Sequence, residues 1–357
     1  MGRRPAVTFV IMAGGRGERL WPLVRLRRPK VCVAPDKVHT LLAATIERLR
    51  PVWPGARWLV VTTDEQAEAV RASLPQRLRD VLLIEPQVKN TAAAIALAAV
   101  NLAIREPNRI MVVMPADHWV DDAREFQRSV RAAIAAASKH DAIVTIGVRP
   151  THPHPRLGYL CAGARVPAGR GPRVFRVARF IEKPTAVLAR RLVKQPRTFW
   201  NTGTFIGSAD KFLECLTEWL PEHTRRLVPL AQGIGSLAFA HRARVAYRAL
   251  KPISFEYGVM DYLDGGLVVE GCYAWADLGT WEAWAHLNPD TSHIVSVDSR
   301  NVTVVSQEPH LVATVGVNDA VVVHTPTATL ICRPDLAHRV REVVRRLSAK
   351  AHLAPYR

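Results

Sequence analysis

The chain contains 357 residues, of which 48% are hydrophobic and 22% are charged. This length and apolar content suffice for one large domain or for two domains with cores of their own, and they exclude disorder as the main state. The longest apolar stretches, residues 92–104 and 132–137, are shorter than the roughly 18 residues that a membrane span requires, so neither a transmembrane helix nor a membrane partner is predicted.

Basic residues outnumber acidic ones, 49 to 31, and give a formal net charge of +18. Such a charge favours phosphorylated ligands or polyanions. The basic residues are spread along the chain without an RNA-recognition motif, so we do not expect a nucleic-acid partner.

The five cysteines lack zinc or redox spacing, and the charged, Gly-rich residues after the first apolar run argue against a secretion signal. These features predict free thiols and a cytoplasmic protein.

The first 148 residues alternate between apolar runs of strand length and segments with helical spacing. The patterns predict strands over 7–12, 58–61, 81–84, 110–114 and 142–148, and helices over 40–49, 65–73, 91–104 and 123–138. Strands that alternate with helices in this way form sheets with helices on both faces. The predicted fold class is therefore α/β, with a Rossmann-like, doubly wound mixed sheet.

The pattern changes twice after residue 148. Irregular strands separated by Pro and Gly, then a helix over 185–193, indicate a second lobe on the same sheet. Short Val, Thr and Ile strands follow over 294–297, 302–305, 311–315, 321–324 and 329–332, before an amphipathic helix over 335–349. We therefore predict a large α/β domain at 1–287 and a small β-rich, β-helix-like module at 288–357 that ends in a helix. Because exposed β modules often pair, we expect a homodimer.

A Gly-rich turn follows the first predicted strand, at the sheet edge where open α/β folds bind ligands. Its glycines are Gly14, Gly15 and Gly17. Glycine lets backbone N–H groups approach phosphate oxygens, and Arg16, Arg19 and Lys30 add positive charge. Leu20 stands where a dinucleotide fingerprint has its third glycine, and the turn lacks the G-K-[ST] ending of a P-loop. The turn predicts a polyphosphate site; a plain tight turn beside solvated basic residues is the alternative.

Residues 14–23, Gly-Gly-Arg-Gly-Glu-Arg-Leu-Trp-Pro-Leu, with the Pro29-Lys30 pair, resemble the sugar-phosphate nucleotidyltransferases, and Leu-Trp-Pro-Leu resembles their guanylyl branch. Further segments match that family in order, over 85–86 with 90–92, 114–118, 180–184, 199–205 and 275–281. The resemblance covers about residues 6–333. It implies a nucleotide-diphospho-sugar transferase fold and the transfer of GMP from GTP to mannose 1-phosphate, with GDP-mannose and pyrophosphate as products.

The resemblance also implies which residues carry the chemistry. Asp117 and Asp277 are expected to hold Mg²⁺ or another divalent cation, and Mg²⁺ prefers carboxylate oxygens. Arg19 and Lys30 are expected to contact the triphosphate and the leaving pyrophosphate, and Lys183 the phosphate of the sugar. The expected catalytic set is thus Arg19, Lys30, Asp117 and Lys183. Structural alternatives stay open: Asp117 as a helix N-cap or strand-end turn, Asp277 as a turn between tryptophans, and Lys183 in a surface ion pair.

Two binding groups complete the expected site. The nucleotide-binding residues are Gly14, Gly15, Arg16, Gly17 and Asn90. Asn90 opens a predicted helix for which Thr91 is an alternative N-cap. The sugar-phosphate-binding residues are Gly158, Glu182, Lys183 and Asn201, whose carboxylate and amide groups suit hydroxyl partners.

Several residues depart from the family pattern. Val31-Cys32-Val33 stands where the family usually has Gln and an aromatic residue, so loop contacts to the nucleotide can differ. Glu256 and Asp261 exchange the lengths of two carboxylates, so the sugar preference can differ from mannose. His152 and His154 have metal-ligand spacing, but flanking prolines favour a rigid loop. Three alternative functions remain: the same chemistry with another nucleotide or sugar 1-phosphate, a non-catalytic regulatory relative, and a nucleic-acid-binding protein.

Overall fold

The computed structural model describes residues 4–35, 38–167, 171–234, 236–287, 293–306 and 308–357. The strands before residue 280 are β1 (Val7–Met12), β2 (Arg57–Thr63), β3 (Leu82–Glu85), β4 (Ile110–Pro115), β5 (His118–Val120), β6 (Val144–Val148), β7 (Tyr159–Val166), β8 (Val174–Ile181), β9 (Thr198–Ser208), β10 (Leu267–Gly271) and β11 (Trp275–Asp277). Nine of these form one sheet in the order β3-β2-β1-β4-β9-β6-β10-β8-β7, and β5 pairs with β11 outside it.

The sheet is mixed, as predicted. β1 pairs in parallel with β2 and β4, and β2 with β3. β9, which the sequence patterns missed, lies antiparallel between β4 and β6, so the fourth and fifth predicted strands are not neighbours. Parallel pairing of β1 to β4 brings their carboxyl ends, and the loops that follow them, to one edge of the sheet.

Helices cover both faces of this sheet. They are α1 (Leu41–Leu49), α2 (Ala67–Ser73), α3 (Asn90–Ala103), α4 (Ala123–His140), α5 (Ala186–Val193), α6 (Ala209–Trp219), α7 (Pro221–Leu227), α8 (Leu237–Ala249) and α9 (Trp281–Leu287). Side chains of β1 alternate between the faces: Phe9 and Ile11 pack with α1 and α4, and Val10 packs with α3 and α6. The five predicted helices up to residue 193 are confirmed as α1 to α5. No helix in the described part of the chain has the length and apolarity to cross a bilayer.

A small β module follows. It contains β12 (Ile294–Val297), β13 (Arg300–Ser306), β14 (Val312–Val315), β15 (Asn318–Thr325) and β16 (Ala328–Cys332), at the predicted places. β12 pairs in parallel with β14, and β13 with β15. Ser296 and Thr314, which hydrogen-bond between neighbouring strands, are 18 positions apart, so the chain winds like one coil of a β-helix. The predicted boundary before residue 288 adjoins 288–292, which lie outside the described residues.

The last helix is shorter than predicted. Pro334–Arg339 forms a 3₁₀ turn and α10 covers Val340–Ser348, whereas the sequence predicted one helix over 335–349. An amphipathic helix over 335–349 would place Leu336 on its inner face with Val340, but Leu336 is exposed and Ala337 is buried instead. The reason is that a 3₁₀ turn has three residues per turn and rotates side chains out of α-helical register. A further 3₁₀ segment, Ala351–Tyr356, follows.

A third hydrophobic cluster, which we call the shared core, joins the module to the α/β part. Its members from the α/β part include Leu20, Trp21, Leu23, Val24, Leu278, Trp281 and Trp284, and those from the module include Val321, Val323, Leu330, Ala337, Val340 and Val344. The loop after β1 and the segment after β11 therefore pack on the same surface of the module. These two segments carry predicted phosphate and metal residues.

Candidate active site

The loop after β1 is closed by a tight turn. Gly17 has φ +57° and precedes a 3₁₀ turn over Glu18–Leu20. A Cβ added to Gly17 would lie 3.0 Å from Lys30 Cβ and from Val24 Cγ1, so glycine alone fits between this turn and Lys30. Arg19 is exposed on the turn and Lys30 is buried beneath it. One packed unit therefore carries both predicted phosphate-binding cations.

Lys30 links two acidic side chains from different elements. Its ammonium donates to Asp117 Oδ2 at 2.6 Å and to Asp277 Oδ1 at 3.3 Å. Asp117 lies in the bend between β4 and β5, so the helix N-cap alternative is wrong. Asp277 ends β11, which pairs antiparallel with β5 and places Asp277 opposite His118. The fold thus joins three predicted residues that are up to 247 positions apart in the chain.

Neighbouring charges control the ionisation of Asp117. Burial alone raises the pKa of Asp117, but the Lys30 ammonium and His118 outweigh burial and lower it to about 2. Burial lowers the pKa of His118, against the opposing effects of Asp117 and Asp277. At pH 7 the site therefore holds a carboxylate at Asp117 and a neutral imidazole at His118.

Asp117, His118 and Asp277 can together hold a metal ion, because one ligand atom of each lies within 4.8 Å of the others. Two carboxylates suit a hard divalent cation, and an imidazole is a softer third ligand. The Lys30 ammonium, bonded to both carboxylates, shows that this point attracts positive charge. The donor set therefore fits a divalent cation. Sequence reasoning did not assign His118, although the Met-Pro-Ala-Asp-His segment contains it.

A cleft of about 690 Å³ opens beside these residues, within the size range of small-molecule sites. Its lining includes the predicted site residues Arg19, Gly158, Glu182, Lys183, Asn201 and Asp277. Arg19 and Asp277 meet at Gly279, where an added Cβ would lie 3.1 Å from the guanidinium and 3.0 Å from the carboxylate. One cleft therefore contains a predicted triphosphate ligand, a predicted metal ligand and the predicted sugar-phosphate residues.

Glu182, Lys183 and Glu256 form what we call the Glu182 end of the cleft. Lys183 Nζ lies 2.5 Å from Glu182 Oε1 and 5.3 Å from the centre of the Tyr257 ring. Burial lowers the pKa of Lys183, but Glu182, Tyr257 and Glu256 outweigh burial and raise it. Burial raises the pKa of Glu256, and the charge of Glu182 adds to this effect. The ion pair expected as the structural alternative for Lys183 is present, and it leaves 48% of the Lys183 side chain exposed to a ligand.

Asn201 is fixed by β9. Its Oδ1 accepts hydrogen bonds from Thr145 Oγ1 at 2.8 Å and from the Gly203 N–H at 3.2 Å. The Asn201 N–H donates to the Gly158 carbonyl at 2.9 Å, which fixes the loop before β7. Because Oδ1 is engaged, the amide nitrogen is the Asn201 atom that can serve a ligand.

The predicted nucleotide residues lie in different surroundings. Gly14 and Gly15 follow β1, and the Gly15 carbonyl accepts a hydrogen bond from Gln66 Nε2 at 2.8 Å. Arg16 lines a separate cavity between this loop and α10, with its guanidinium 3.7 Å from the Glu18 carboxylate. A nucleotide contact for Arg16 therefore stays a prediction.

Asn90 begins α3 with φ +69°, and its Oδ1 accepts a hydrogen bond from the Thr91 N–H at 2.9 Å. Thr91 is not the N-cap, because its hydroxyl donates to Glu256 Oε2 at 3.3 Å and accepts from the Phe255 N–H at 2.8 Å. These bonds connect the start of α3 to the Glu182 end of the cleft. The role of Asn90 toward a nucleotide also stays a prediction.

Glu85 is a buried acid to which sequence reasoning gave no role, although its segment matched the family. It ends β3, and a Cβ added to Gly14 would lie 3.8 Å from its Oε2. Tyr247 Oη donates to Glu85 Oε1 at 3.1 Å. Burial raises the pKa of Glu85 to about 8, against the opposing effect of that hydrogen bond.

His152 and His154, which have metal-ligand spacing, form part of the cleft wall. Their rings lie edge-on to the Trp200 ring, at 5.0 Å and 6.4 Å between centres. Among the described residues, the acidic group that can hold a metal does not include them. Their packing is that of a loop anchored on an aromatic side chain.

Comparisons with known proteins point to one family. The family described as Nucleotidyl transferase matches residues 8–293, and the MannoseP isomerase/GMP-like beta-helix domain matches residues 292–347. Mannose-1-phosphate guanylyltransferase of Salmonella muenchen is 32% identical, over 98% of this chain and 76% of the relative. Alginate biosynthesis protein AlgA of Pseudomonas fluorescens is 33% identical, over 95% of this chain and 71% of the relative.

A solved structure extends this likeness to three dimensions. The crystal structure of mannose-1-phosphate geranyltransferase from Thermus thermophilus has a TM-score of 0.80 and 33% identity, and the match covers 96% of this chain and 99% of that one. The predicted family and the predicted fold class are confirmed. The chain belongs to the nucleotidyl transferase family and is an enzyme of that type.

Proposed function

We propose that this enzyme transfers GMP from GTP to mannose 1-phosphate and releases GDP-mannose and pyrophosphate. The observation that carries the proposal is the Lys30 ammonium, held between Asp117 and Asp277 beside a cleft that Asp277 and Lys183 line. The choice of substrates is supported by relatives such as the mannose-1-phosphate guanylyltransferase of Salmonella muenchen.

The reaction brings two anions together. An oxygen of the sugar 1-phosphate attacks the α-phosphorus of GTP, the bond from that phosphorus to the bridging oxygen breaks, and pyrophosphate leaves in line. The attacking oxygen already carries negative charge, so the protein needs neither a general base nor a covalent intermediate. Its task is to neutralise charge and to align the reacting groups.

The cations around the cleft suit this task. Arg19 and Lys30 neutralise the triphosphate and the leaving pyrophosphate, and Lys183 holds the phosphate of the sugar. Glu182 and the Asn201 amide nitrogen bind sugar hydroxyl groups. We keep the backbone of Gly14, Gly15 and Gly17, with Arg16 and Asn90, as the proposed contacts to the nucleotide.

Asp117 and Asp277 are the residues that would hold Mg²⁺, with His118 beside them. When bound, the ion supplies charge neutralisation at the phosphate oxygens. Lys30 bonds both carboxylates and so fixes their separation. The low pKa of Asp117 keeps this ligand ionised throughout the physiological range.

Pyrophosphate release tests the proposal. GTP, ATP, UTP and dTTP are each incubated with mannose 1-phosphate or glucose 1-phosphate and Mg²⁺, with Asp117→Ala as the inactive control. We expect clear preference for GTP with mannose 1-phosphate. Turnover of another pair would keep the mechanism and correct the substrates, whereas no turnover with any pair would favour a non-catalytic regulatory relative.

The nucleic-acid alternative makes a different prediction. Binding driven by the net charge of +18 falls steeply with added salt and does not depend on Asp117. We therefore expect any binding of DNA by this enzyme to be equal in wild type and in Asp117→Ala. Binding that requires Asp117 would instead involve the nucleotide site.

We keep the homodimer as part of the proposal. Large apolar side chains of the β module are at least half exposed, namely Val295, Val297, Leu311, Val315 and Ile331. A second copy of the chain would cover them, since exposed apolar patches mark interaction surfaces. Light scattering is expected to give twice the chain mass of 39.6 kDa, and Val315→Asp is expected to return the mass to that of one chain.

A further inference from the structure

Hydrogen bonds connect the segment between Arg19 and Lys30 to Thr327 and Tyr356. We call this set of hydrogen bonds the clamp. Trp21 Nε1 donates to the Tyr356 carbonyl at 2.7 Å, and an Arg25 terminal nitrogen donates to the same carbonyl at 3.0 Å. The other terminal nitrogen of Arg25 donates to Thr327 Oγ1 at 2.7 Å, in the turn between β15 and β16. The clamp therefore connects the β module directly to the 19–30 loop, which carries the proposed phosphate-binding residues Arg19 and Lys30.

Arg25 also organises the turn that leads to Lys30. Its Nε donates to the Pro22 carbonyl at 3.1 Å. Its backbone N–H and carbonyl pair with those of Arg28 at 3.0 Å and 2.9 Å, which closes the turn two residues before Lys30. One planar guanidinium thus bonds oxygens from three segments, a geometry that a lysine ammonium on a flexible stem does not reproduce.

A further hydrogen bond connects the 19–30 loop to the segment that carries Asp277. Trp281 Nε1 donates to the Trp21 carbonyl at 3.1 Å, and Trp281 is fully buried four residues after Asp277. Trp21 therefore accepts a bond from the segment that carries Asp277 and donates one to Tyr356. The β module therefore supports both the loop that carries Lys30 and the segment that carries Asp277.

We propose that Arg25 is a positioning residue for nucleotidyl transfer: through Thr327 and Tyr356 it holds the 19–30 loop in the place where Arg19 and Lys30 meet a bound triphosphate. The substrates named in its test rest on the proposed function. Small displacements of such groups are costly, since alignment supplies much of the rate.

The structure separates this role from general stability. Arg25 is half-buried and its guanidinium bonds carbonyl and hydroxyl oxygens, whereas the shared core buries Trp21, Trp281, Val323 and Leu330 by apolar contact. Removing the guanidinium therefore leaves the shared core intact and removes the side-chain hydrogen bonds from Arg25 to Pro22, Tyr356 and Thr327. A loss confined to nucleotide binding is the expected signature.

Steady-state kinetics of Arg25→Ala test the proposal, with Arg27→Ala as the matched control because Arg27 is exposed on the same turn. We expect Arg25→Ala to raise the KM for GTP about tenfold, as for the loss of hydrogen bonds from a charged group. The KM for mannose 1-phosphate and the Tm should stay at wild-type values, and Arg27→Ala should match wild type. Arg25→Lys should give an intermediate KM for GTP.

Thr327→Val removes one arm of the clamp from the module side and guards against a folding defect in Arg25→Ala. It should raise the KM for GTP a few-fold, and the double variant should be no worse than Arg25→Ala alone. An equal rise in both KM values, additive effects, or an unchanged KM for GTP would overturn the proposal.

Titration calorimetry with GTP separates this proposal from the proposed function. Weaker GTP binding by Arg25→Ala than by Arg27→Ala supports the positioning role even if no sugar 1-phosphate is turned over. Equal GTP affinities overturn it. Failure of the wild type to release pyrophosphate with any substrate pair would count against the proposed function alone.

Discussion

Lys30 is the cation that the two carboxylates of the site share, so its replacement alters both at once. Lys30→Met keeps the length of the side chain and removes its charge. We expect kcat/KM for GTP to fall about a hundredfold or more, because in the proposed reaction Lys30 is a fixed charge at the leaving pyrophosphate and acts mainly in the transition state. Pyrophosphate release under steady-state conditions measures the effect.

Lys194→Met is the control for Lys30→Met, since Lys194 is exposed at the end of α5. It should keep wild-type kcat/KM. If Lys30→Met folds and keeps wild-type turnover, the Lys30 ammonium only balances the charge of Asp117 and Asp277 and has no part in the reaction.

Glu85 makes the free energy of unfolding depend on pH. Burial raises its pKa from 4.5 to about 8 in the folded state. Between these values the folded chain binds a proton that the unfolded chain releases, so stability falls as pH rises from about 4.5 to about 8. Relative to Glu85→Gln, wild type should lose roughly 4 kcal/mol over this interval, since the pKa of Glu85 rises from 4.5 to about 8 and one pKa unit corresponds to about 1.4 kcal/mol.

Urea unfolding of both proteins at about pH 5 and about pH 8.5 measures this difference. Glu218→Gln, on the exposed surface of α6, serves as the control and should follow the pH dependence of wild type. Parallel pH dependence of wild type and Glu85→Gln would show that Glu85 is ionised in the folded state.

Single residues of this site differ in how far sequence could predict them. Lys30, Asp117 and Asp277 lie in motifs of the family, so the sequence identified them before any distance was known. Glu85 accepts a hydrogen bond from Tyr247, 162 positions away, and Glu256 accepts one from Thr91, 165 positions away. Local patterns do not encode which distant segments meet, so these effects required the structure.

At the level of elements, the turn after β1 depends on a glycine in the left-handed region. In Gly17→Ala the new Cβ would meet Lys30 Cβ and Val24 Cγ1 at 3.0 Å. Alanine at this φ strains the backbone, and its Cβ displaces Lys30. We therefore expect kcat/KM for GTP to fall at least tenfold, with a loss of stability of about 1 kcal/mol. Steady-state kinetics and thermal unfolding measure the two effects.

Gly55→Ala separates these two effects. Gly55 has φ +82°, and nothing lies within 4 Å of an added Cβ. Its replacement should therefore cost a similar stability of about 1 kcal/mol and leave kcat/KM unchanged. Equal kinetic losses in the two variants would mean that general destabilisation, not the position of Lys30, explains the effect of Gly17→Ala.

Elements with clear apolar periodicity were predicted well, and β9 shows why others were not. Its buried positions include the polar residues Asn201 and Thr202. Thr202 Oγ1 donates to the Ile146 carbonyl, and Asn201 Oδ1 accepts from Thr145 Oγ1. These tertiary hydrogen bonds satisfy groups that a hydropathy pattern counts as exposed. β5 and β11 have only three residues each, too few to show a period.

At the scale of the whole molecule, the sequence did not predict where the β module lies on the α/β part. The apolar spacing of α10 predicted an inner face, and Val340 and Val344 are buried. The pattern did not say what covers them. The partners are Leu20 and Trp21 of the loop after β1, in the shared core. Because one core contains residues from both parts, we expect the α/β part and the module to unfold as one unit.

Leu330→Ala tests this coupling from the module side. Leu330 is buried in the shared core, so its truncation should lower the free energy of unfolding by roughly 2 to 4 kcal/mol. Ile331→Ala is the matched control, since Ile331 is the next residue on β16 and is 68% exposed. Its effect should be within about 0.5 kcal/mol.

Tryptophan fluorescence and far-ultraviolet circular dichroism should give coincident unfolding transitions in wild type and in both variants, as a single cooperative unit requires. Trp281 and Trp284 report on the shared core, and circular dichroism reports on the whole chain. If Leu330→Ala instead produced an early transition of the module with the large sheet still folded, the shared core would be a contact between independent units. The native contacts of Arg25 with Thr327 and Tyr356 would not change with that result, because two units that unfold separately still touch when both are folded. The effect of Arg25→Ala on GTP binding is therefore decided by calorimetry and not by the unfolding transitions.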